Sequence, residues 1–130
     1  MNYAEISKET VDFLYKSRAS LSKSPLSPSL RILAELRVSQ INGCAYCCQL
    51  HTDEARKLGV PQEKLDILTA WHNSTSFSEE ERLVLQWVEA VTFLENDIEE
   101  IKEQLRQNYS EREIVDLTAC IGIMNALNRI

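Results

Sequence analysis

The sequence contains few of the residues that end helices and form tight turns, with only three glycines and three prolines among 130 residues. It has no long alternating segment of β-branched residues, so a β-sheet is not predicted. It also has no run of 18 apolar residues, which argues against a transmembrane helix. The first residues are polar and do not follow the pattern of a signal peptide. We therefore expect an all-α protein of the cytoplasm.

The sequence also lacks an excess of basic residues. It has 14 lysines and arginines against 20 acidic residues, for a net charge of −6. Nucleic acids and anionic membranes both require basic surfaces, so neither is predicted as a partner. Hydrophobic residues make up 44% of the chain, which is enough for a core. The length predicts a single domain over residues 1–130.

Helical periodicity and capping signals predict about six to seven helices. Ser27 and Pro28 form a favourable helix start, and Asn42-Gly43 a favourable end. Ser78 with Glu81 and Ser110 with Glu113 each match a capping box, and Asp97 is a further N-cap candidate. The predicted helices cover residues near 6–20, 28–42, 44–58, 61–71, from 78, 97–107, and from 110 to near the terminus.

The spacing of apolar residues predicts which side of each helix is buried. The predicted buried residues are Ile6, Thr10, Phe13 and Leu14 in the first helix, Leu30, Leu33, Ala34, Val38 and Ile41 in the second, and Val84, Trp87, Val88 and Val91 in the fifth. The last helix is apolar on most sides. A helix of that kind has to be buried all round, and in a small domain a second subunit covers it easily. We therefore expect a homo-oligomer.

The segment from Gly43 to His51 carries the chemistry that the sequence suggests. Cys44 and Cys47 form a Cys-x-x-Cys pair, and His51 follows Cys47 by one helical turn. A helix start favours the thiolate form of a cysteine, and a histidine on the same face is a proton acceptor for the second thiol. In a reducing compartment such a pair is typical of redox chemistry or metal binding rather than of a structural disulfide.

Two other interpretations of this segment stay open at the level of sequence. Cys44, Cys47 and His51 are three possible zinc ligands, with Cys48 or Glu35 as a fourth, although a second Cys/His pair is missing. Simple burial of the thiols is the other. We favour the redox interpretation and predict no metal and no organic cofactor.

The remaining cysteines, histidine and tryptophans are predicted to be structural. Cys48 and Cys120 are expected to pack as small apolar side chains. His72 is expected on the surface at the end of a helix, and Trp71 and Trp87 in the core.

Several segments together resemble the AhpD-like alkylhydroperoxidases of the carboxymuconolactone decarboxylase superfamily. They cover most of the chain after about residue 25, and the central one is specific. The segments are Glu35-Leu36-Arg37-Val38-Ser39-Gln40-Ile41-Asn42-Gly43-Cys44-Ala45-Tyr46-Cys47, His51-Thr52, Ala55-Arg56-Lys57-Leu58-Gly59, Leu68-Thr69-Ala70-Trp71-His72, the helix start at residues 78–82, Glu89-Ala90-Val91-Thr92 and Asn125-Ala126-Leu127-Asn128-Arg129.

This resemblance implies an all-α, AhpD-like fold that assembles as a homo-oligomer, as a trimer or hexamer, with peroxidase activity at the cysteine pair. It implies that Cys47 attacks the peroxide, that Cys44 resolves the product, and that His51 works in a proton relay with an upstream glutamate, for which Glu35 is the candidate. Decarboxylases of the superfamily act on a lactone without this thiol pair, so decarboxylation is not expected.

The predicted function is therefore that of an antioxidant thiol peroxidase. Its substrate would be a small peroxide, and a dithiol or a disulfide reductase would restore the cysteine pair. The alternative is a redox sensor in which the same disulfide switches assembly or partner binding with negligible turnover.

Overall fold

The computed structural model describes residues 1–96 and 98–130, and within these residues the chain is helical with no β-strand. No helix in this part of the chain is long and apolar enough to cross a membrane. Two short 3₁₀ segments, Leu21–Lys23 and Leu68–Asn73, connect α-helices. The α-helices of the described residues are α1 (Tyr3–Ile6), α2 (Lys8–Ser20), α3 (Pro28–Asn42), α4 (Ala45–Lys57), α5 (Gln62–Ile67), α6 (Glu79–Phe93), α7 (Ile98–Asn108) and α8 (Glu111–Leu127).

Helix α3 lies at the centre of the fold and contacts α4, α6 and α8. Ala34 and Val38 on one side belong to a core cluster shared with α6, α7 and α8. Leu33 and Leu36 on the other side belong to a second cluster shared with α4, α5 and the 3₁₀ segment that contains Trp71. Because α3 packs on both sides, two of its polar residues, Glu35 and Ser39, are buried in the protein.

The predicted end of α3 and the predicted starts of α6 and α8 are confirmed, whereas the helix predicted over 61–71 is α5 only as far as Ile67 and continues as a 3₁₀ segment. Gly43 ends α3 in the left-handed conformation at φ 67°, which favours glycine. Both capping boxes form, with the Ser78 and Ser110 hydroxyls accepting from the backbone N–H groups of Glu81 and Glu113. Ser27 is the N-cap of α3 as predicted, but its side chain makes no capping hydrogen bond. The predicted cap at Asp97 lies outside the described residues.

The predicted first helix corresponds to α2, which begins two residues later than expected. A further short helix, α1, precedes it, because Ser7 leaves the helical conformation between them, and the described residues therefore contain eight α-helices rather than six to seven. The predicted buried stripe of the first helix is wrong, since Ile6 and Phe13 are exposed and Val11 is buried. The inward positions of α2 include Val11 and Arg18, so a charged residue lies on the side that faces the protein.

Helix α8 is not buried on all sides within one chain. Cys120, Ile121 and Met124 are in the core, but Val115 is 63% exposed, and Ala119 and Gly122 are exposed on the same side of the helix. The predicted homo-oligomer, trimer or hexamer, stays a prediction, and these small apolar residues are the surface that it would cover.

Glu89 on α6 connects three parts of the fold through hydrogen bonds. Its Oε1 accepts from Arg37 Nε at 2.9 Å, Arg37 Nη2 at 2.8 Å and Trp71 Nε1 at 2.8 Å. Its Oε2 lies 2.8 Å from Nε2 of His72, which is on the surface as predicted and stacks on Trp71. Burial acts to raise the pKa of Glu89, but the hydrogen bonds from Trp71, Arg37 and His72 outweigh it and lower the pKa.

We expect Glu89→Gln to lower the free energy of unfolding by about 2–3 kcal/mol at pH 7, because the indole and guanidinium donors lose an ionised acceptor. A carboxyl with a lowered pKa stabilises the fold fully above its ordinary value of 4.5 and loses that contribution as the pH falls through its folded pKa. Urea unfolding of wild type and variant should therefore converge in acid. Glu99→Gln on the surface of α7 is the control, and an equal effect of both substitutions would contradict the prediction.

Candidate redox site

The junction of α3 and α4 brings the two cysteines of the motif together. The turn at Gly43 places Cys44 at the N-cap of α4, in an extended conformation, with Cys47 in the first helical turn. The two residues form a disulfide, with their Cα atoms 5.3 Å apart. The Cys44 sulfur also accepts a hydrogen bond from the backbone N–H of Cys47 at 3.3 Å. Cys44 is half-buried and Cys47 is buried.

His51 lies one turn beyond Cys47 on α4, as the spacing predicts, and its side chain is buried. Its Nδ1 lies 3.0 Å from Oε2 of Glu54 and 3.5 Å from Oε2 of Glu35. No described residue makes a hydrogen bond to its Nε2. The carboxylates therefore hold the ring at Nδ1, and Nε2 is available to accept a proton.

Arg18 from α2 joins the two carboxylates. Its Nη2 lies 2.6 Å from Oε2 of Glu35 and 2.6 Å from Oε2 of Glu54. Burial acts to lower the pKa of Arg18, but the hydrogen bonds and charges of the two glutamates outweigh it and raise the pKa. One guanidinium thus holds α2, α3 and α4 together at the site.

Glu54 is ionised in this environment. Burial acts to raise its pKa, but hydrogen bonds from His51 and Arg18 and the charges of the same two residues lower it overall. With 31% of its side chain exposed, Glu54 is also the more accessible of the two carboxylates, since the Glu35 side chain is only 2% exposed.

Cys120 from α8 lies behind Glu35. Its sulfur is 3.6 Å from Oε1 of Glu35 in a geometry in which the thiol donates. Burial first, and then the nearby Glu35 charge, raise the pKa of Cys120 well above the ordinary value for a thiol. Cys120 therefore stays protonated and inert, in the core position predicted for it.

A cavity of about 220 Å³ opens beside the disulfide. It is bounded by both cysteines, His51, Arg18 and Asn128, and the rest of its wall is mostly aromatic and aliphatic: Tyr3, Tyr15, Tyr46, Leu50, Met124, Leu127 and Ile130. A small molecule in this cavity would meet the sulfur atoms and the histidine ring in largely apolar surroundings.

A second cavity of about 330 Å³ lies next to the same charged cluster. Glu35, Glu54, Arg31 and Lys57 line it, together with Arg18, which borders both cavities. The cluster therefore borders two cavities, one that contains the thiols and a second, without the thiols, that several further charged residues line.

The zinc set that the sequence left open is not assembled in this state, because the Cys44 and Cys47 sulfurs are bonded to each other. Among the described residues, a different group of possible ligands converges, with atoms of Glu35, His51 and Glu54 within 4.8 Å of one another. The Arg18 guanidinium already lies between the two carboxylates at hydrogen-bonding distance. An internal cation thus occupies the position that a metal ion would need.

The structure brings all four predicted site residues together: Cys44, Cys47, His51 and Glu35. Cys48 packs against the second core cluster, which agrees with its predicted structural role. The sequence analysis missed Arg18 and Glu54. Glu54 follows His51 by three residues on one helix, so the spacing could have indicated it. Arg18 is 17 residues from Glu35 and 36 from Glu54, and no local pattern points to it.

The fold and the site define an all-helical protein with a Cys-x-x-Cys disulfide at a helix start, backed by a buried histidine. The family model described as the carboxymuconolactone decarboxylase family matches residues 7–90. The chain belongs to this family, and the resemblance to its AhpD-like branch is confirmed.

The chain is also similar to two uncharacterized bacterial proteins. The uncharacterized protein YdfG of Bacillus subtilis (strain 168) is 33% identical over all of this chain and 90% of its own length. The uncharacterized protein YnjA of Escherichia coli (strain K12) is 29% identical over 79% of this chain, which corresponds to 57% of YnjA.

Two crystal structures have the same fold. A protein of unknown function from Agrobacterium tumefaciens, provisionally assigned as the antioxidant defence protein AhpD, superposes with a TM-score of 0.92 at 35% identity, covering 99% of this chain and 90% of its own. An uncharacterized peroxidase-related protein from Silicibacter sp. TM1040 gives a TM-score of 0.82 at 26% identity, covering 93% of this chain and 65% of its own.

We expect thiol labelling to separate the four cysteines into three classes. In oxidised native protein, N-ethylmaleimide should modify Cys48 slowly, because burial raises the pKa of this half-buried thiol. Cys44 and Cys47 should react only after reduction, and Cys120 only after unfolding. Mass spectrometry of labelled peptides measures each site. Labelling of Cys120 in native protein as fast as Cys48 would contradict the described packing.

Proposed function

We propose that the protein is a thiol-dependent peroxidase that reduces hydrogen peroxide or organic hydroperoxides in antioxidant defence. The observation that carries the proposal is the disulfide between Cys44 and Cys47 beside a buried His51, facing a cavity of small-molecule size. Both cysteines are within reach of a substrate there, and the pair has formed the bond that a catalytic cycle requires.

In the reduced enzyme, His51 takes the proton of the Cys47 thiol, supported by the acidic cluster behind it, which includes the predicted Glu35. The Cys47 thiolate attacks the terminal oxygen of the peroxide and breaks the O–O bond. Sulfur is oxidised to a sulfenic acid, and the peroxide is reduced to an alkoxide or hydroxide. The proton on His51 then converts this leaving group to alcohol or water.

Cys44 resolves the sulfenic acid. Its thiol sulfur bonds to the Cys47 sulfur, and the hydroxyl group leaves as water with the thiol proton. An external dithiol, or a disulfide reductase, then reduces the disulfide by thiol–disulfide exchange and is itself oxidised. One peroxide is thereby reduced for each dithiol consumed.

Two observations favour Cys47 as the attacking residue. It is one turn from His51, and the two share a helix face. Cys44 is at the helix cap, where its sulfur already contacts the Cys47 N–H and is well placed to close the disulfide. The thiol pair is also why we propose peroxide reduction rather than the lactone decarboxylation after which the family is named.

We expect purified protein to consume peroxide with a dithiol reductant, and Cys47→Ser to reduce turnover at least about a thousandfold, because the nucleophile is lost. Cys44→Ser should leave the first step intact and accumulate a sulfenic acid on Cys47, which dimedone traps for mass spectrometry. Cys48→Ser is the control and should retain activity. Unchanged turnover in Cys47→Ser would contradict the proposed peroxidase function.

The alternative function, a redox sensor, gives a different outcome in the same samples. Oxidation would change the oligomer size measured by light scattering, while peroxide consumption stayed at the background level. That combination would replace the peroxidase proposal with the sensor.

A further inference from the structure

His51 has two carboxylates within reach, and they are not equivalent. We infer that Glu54 positions His51 as the base for Cys47, and that Glu35, the relay residue implied by resemblance, acts on the site through Arg18. The inference rests on the proposed function because it assigns a role in activating the Cys47 thiol.

The distances favour Glu54 as the partner of the ring. Nδ1 of His51 is 3.0 Å from Oε2 of Glu54, within ordinary hydrogen-bond range, and 3.5 Å from Oε2 of Glu35. Glu54 is also three residues from His51 on the same helix. Their contact therefore depends on α4 alone, whereas a contact with Glu35 depends on how α3 and α4 pack.

Glu35 is occupied by other donors. Its Oε2 accepts from Arg18 at 2.6 Å, and its Oε1 faces the Cys120 thiol at 3.6 Å. Its side chain is almost fully buried, so a counter-ion is necessary for the charged form. From these contacts we infer that Glu35 holds the Arg18 side chain in place, and that Arg18 in turn holds Glu54.

An ionised carboxylate at Nδ1 selects one form of the ring. In the neutral imidazole, Nδ1 carries the hydrogen and donates to Glu54, and Nε2 has the free lone pair. His51 borders the thiol cavity, so Nε2 is the nitrogen available to accept the Cys47 proton. When it does, the negative charge of Glu54 compensates the imidazolium, as the buried aspartate does in serine protease triads.

The groups that face His51 come from several elements. Cys47 and Glu54 lie on its own helix, Arg18 comes from α2 and Glu35 from α3, with Cys120 of α8 behind Glu35. Arg18 contacts both carboxylates equally at 2.6 Å, so its charge does not distinguish them. The two glutamates differ in the distance from their Oε2 atoms to Nδ1 of His51.

The first test measures Cys47 itself, in protein that carries Cys44→Ser and Cys48→Ser so that Cys47 is the accessible thiol. The rate of iodoacetamide alkylation between pH 5 and 9 gives the thiol titration. Adding Glu54→Gln should shift the profile upward by about one unit and slow alkylation at pH 7 about tenfold, because the amide no longer fixes the productive ring form. Glu54→Asp should restore part of the rate.

Glu35→Gln is the matched comparison, and it should change the alkylation rate by less than about threefold while lowering thermal stability. Asp53→Asn, next to Glu54 on the outer side of α4, controls for loss of a negative charge and should have no effect. A larger shift with Glu35→Gln than with Glu54→Gln, or no shift with Glu54→Gln, would overturn the inference.

The second test needs no substitution at the site. Long-range ¹H–¹⁵N correlation spectra distinguish the two neutral forms of histidine, and the chain has only two histidines, so His72→Gln assigns the signals. We expect neutral His51 to carry its hydrogen on Nδ1, and a hydrogen on Nε2 would refute the role of Glu54. Neither test uses peroxide, so a protein without peroxidase turnover could still pass both, and the two hypotheses fail separately.

Discussion

The contact of one guanidinium with two carboxylates, one buried and one half-buried, is the constraint on which the site depends. Arg18 reaches from α2 to Glu35 on α3 and Glu54 on α4, so three helices meet at one positive charge. Without a cation between them, two carboxylates this close would repel each other strongly, because the site is partly shielded from solvent. The Nε of Arg18 is buried without a hydrogen-bond partner among the described residues. The position of the side chain therefore favours the contacts of Nη2 with the two carboxylates over a hydrogen bond from Nε.

Most of the fold could be predicted because its signals are local. The end of α3 at Gly43 and the two capping boxes each depend on residues within one turn of each other. The core side of α6 follows from 3.6-residue periodicity, and Val84 and Val88 are buried where the pattern predicts. The thiols and His51 were found for the same reason, since their relation is a spacing on one helix.

What could not be predicted depends on tertiary contacts. Arg18 made the inward side of α2 look polar, and the exposed Phe13 made the outward side look like a core face, so the buried stripe was assigned wrongly. Glu54 belongs to a run of charged residues near the end of α4 that resembles a solvated surface. Only the approach of α2 and α3 turns one member of that run into part of the site.

The N-cap of α4 has a consequence for energetics. The atom that caps this helix is the sulfur of Cys44, which is also half of the disulfide. After reduction, the Cys47 thiolate of the proposed cycle lies in the first turn of this helix, whose positive end stabilises the negative charge. By thermodynamic linkage, stabilisation of the reduced form makes the disulfide more oxidising, as in strongly oxidising dithiol proteins. The reduction potential of the pair and the stability of the first turn of α4 are therefore one coupled quantity.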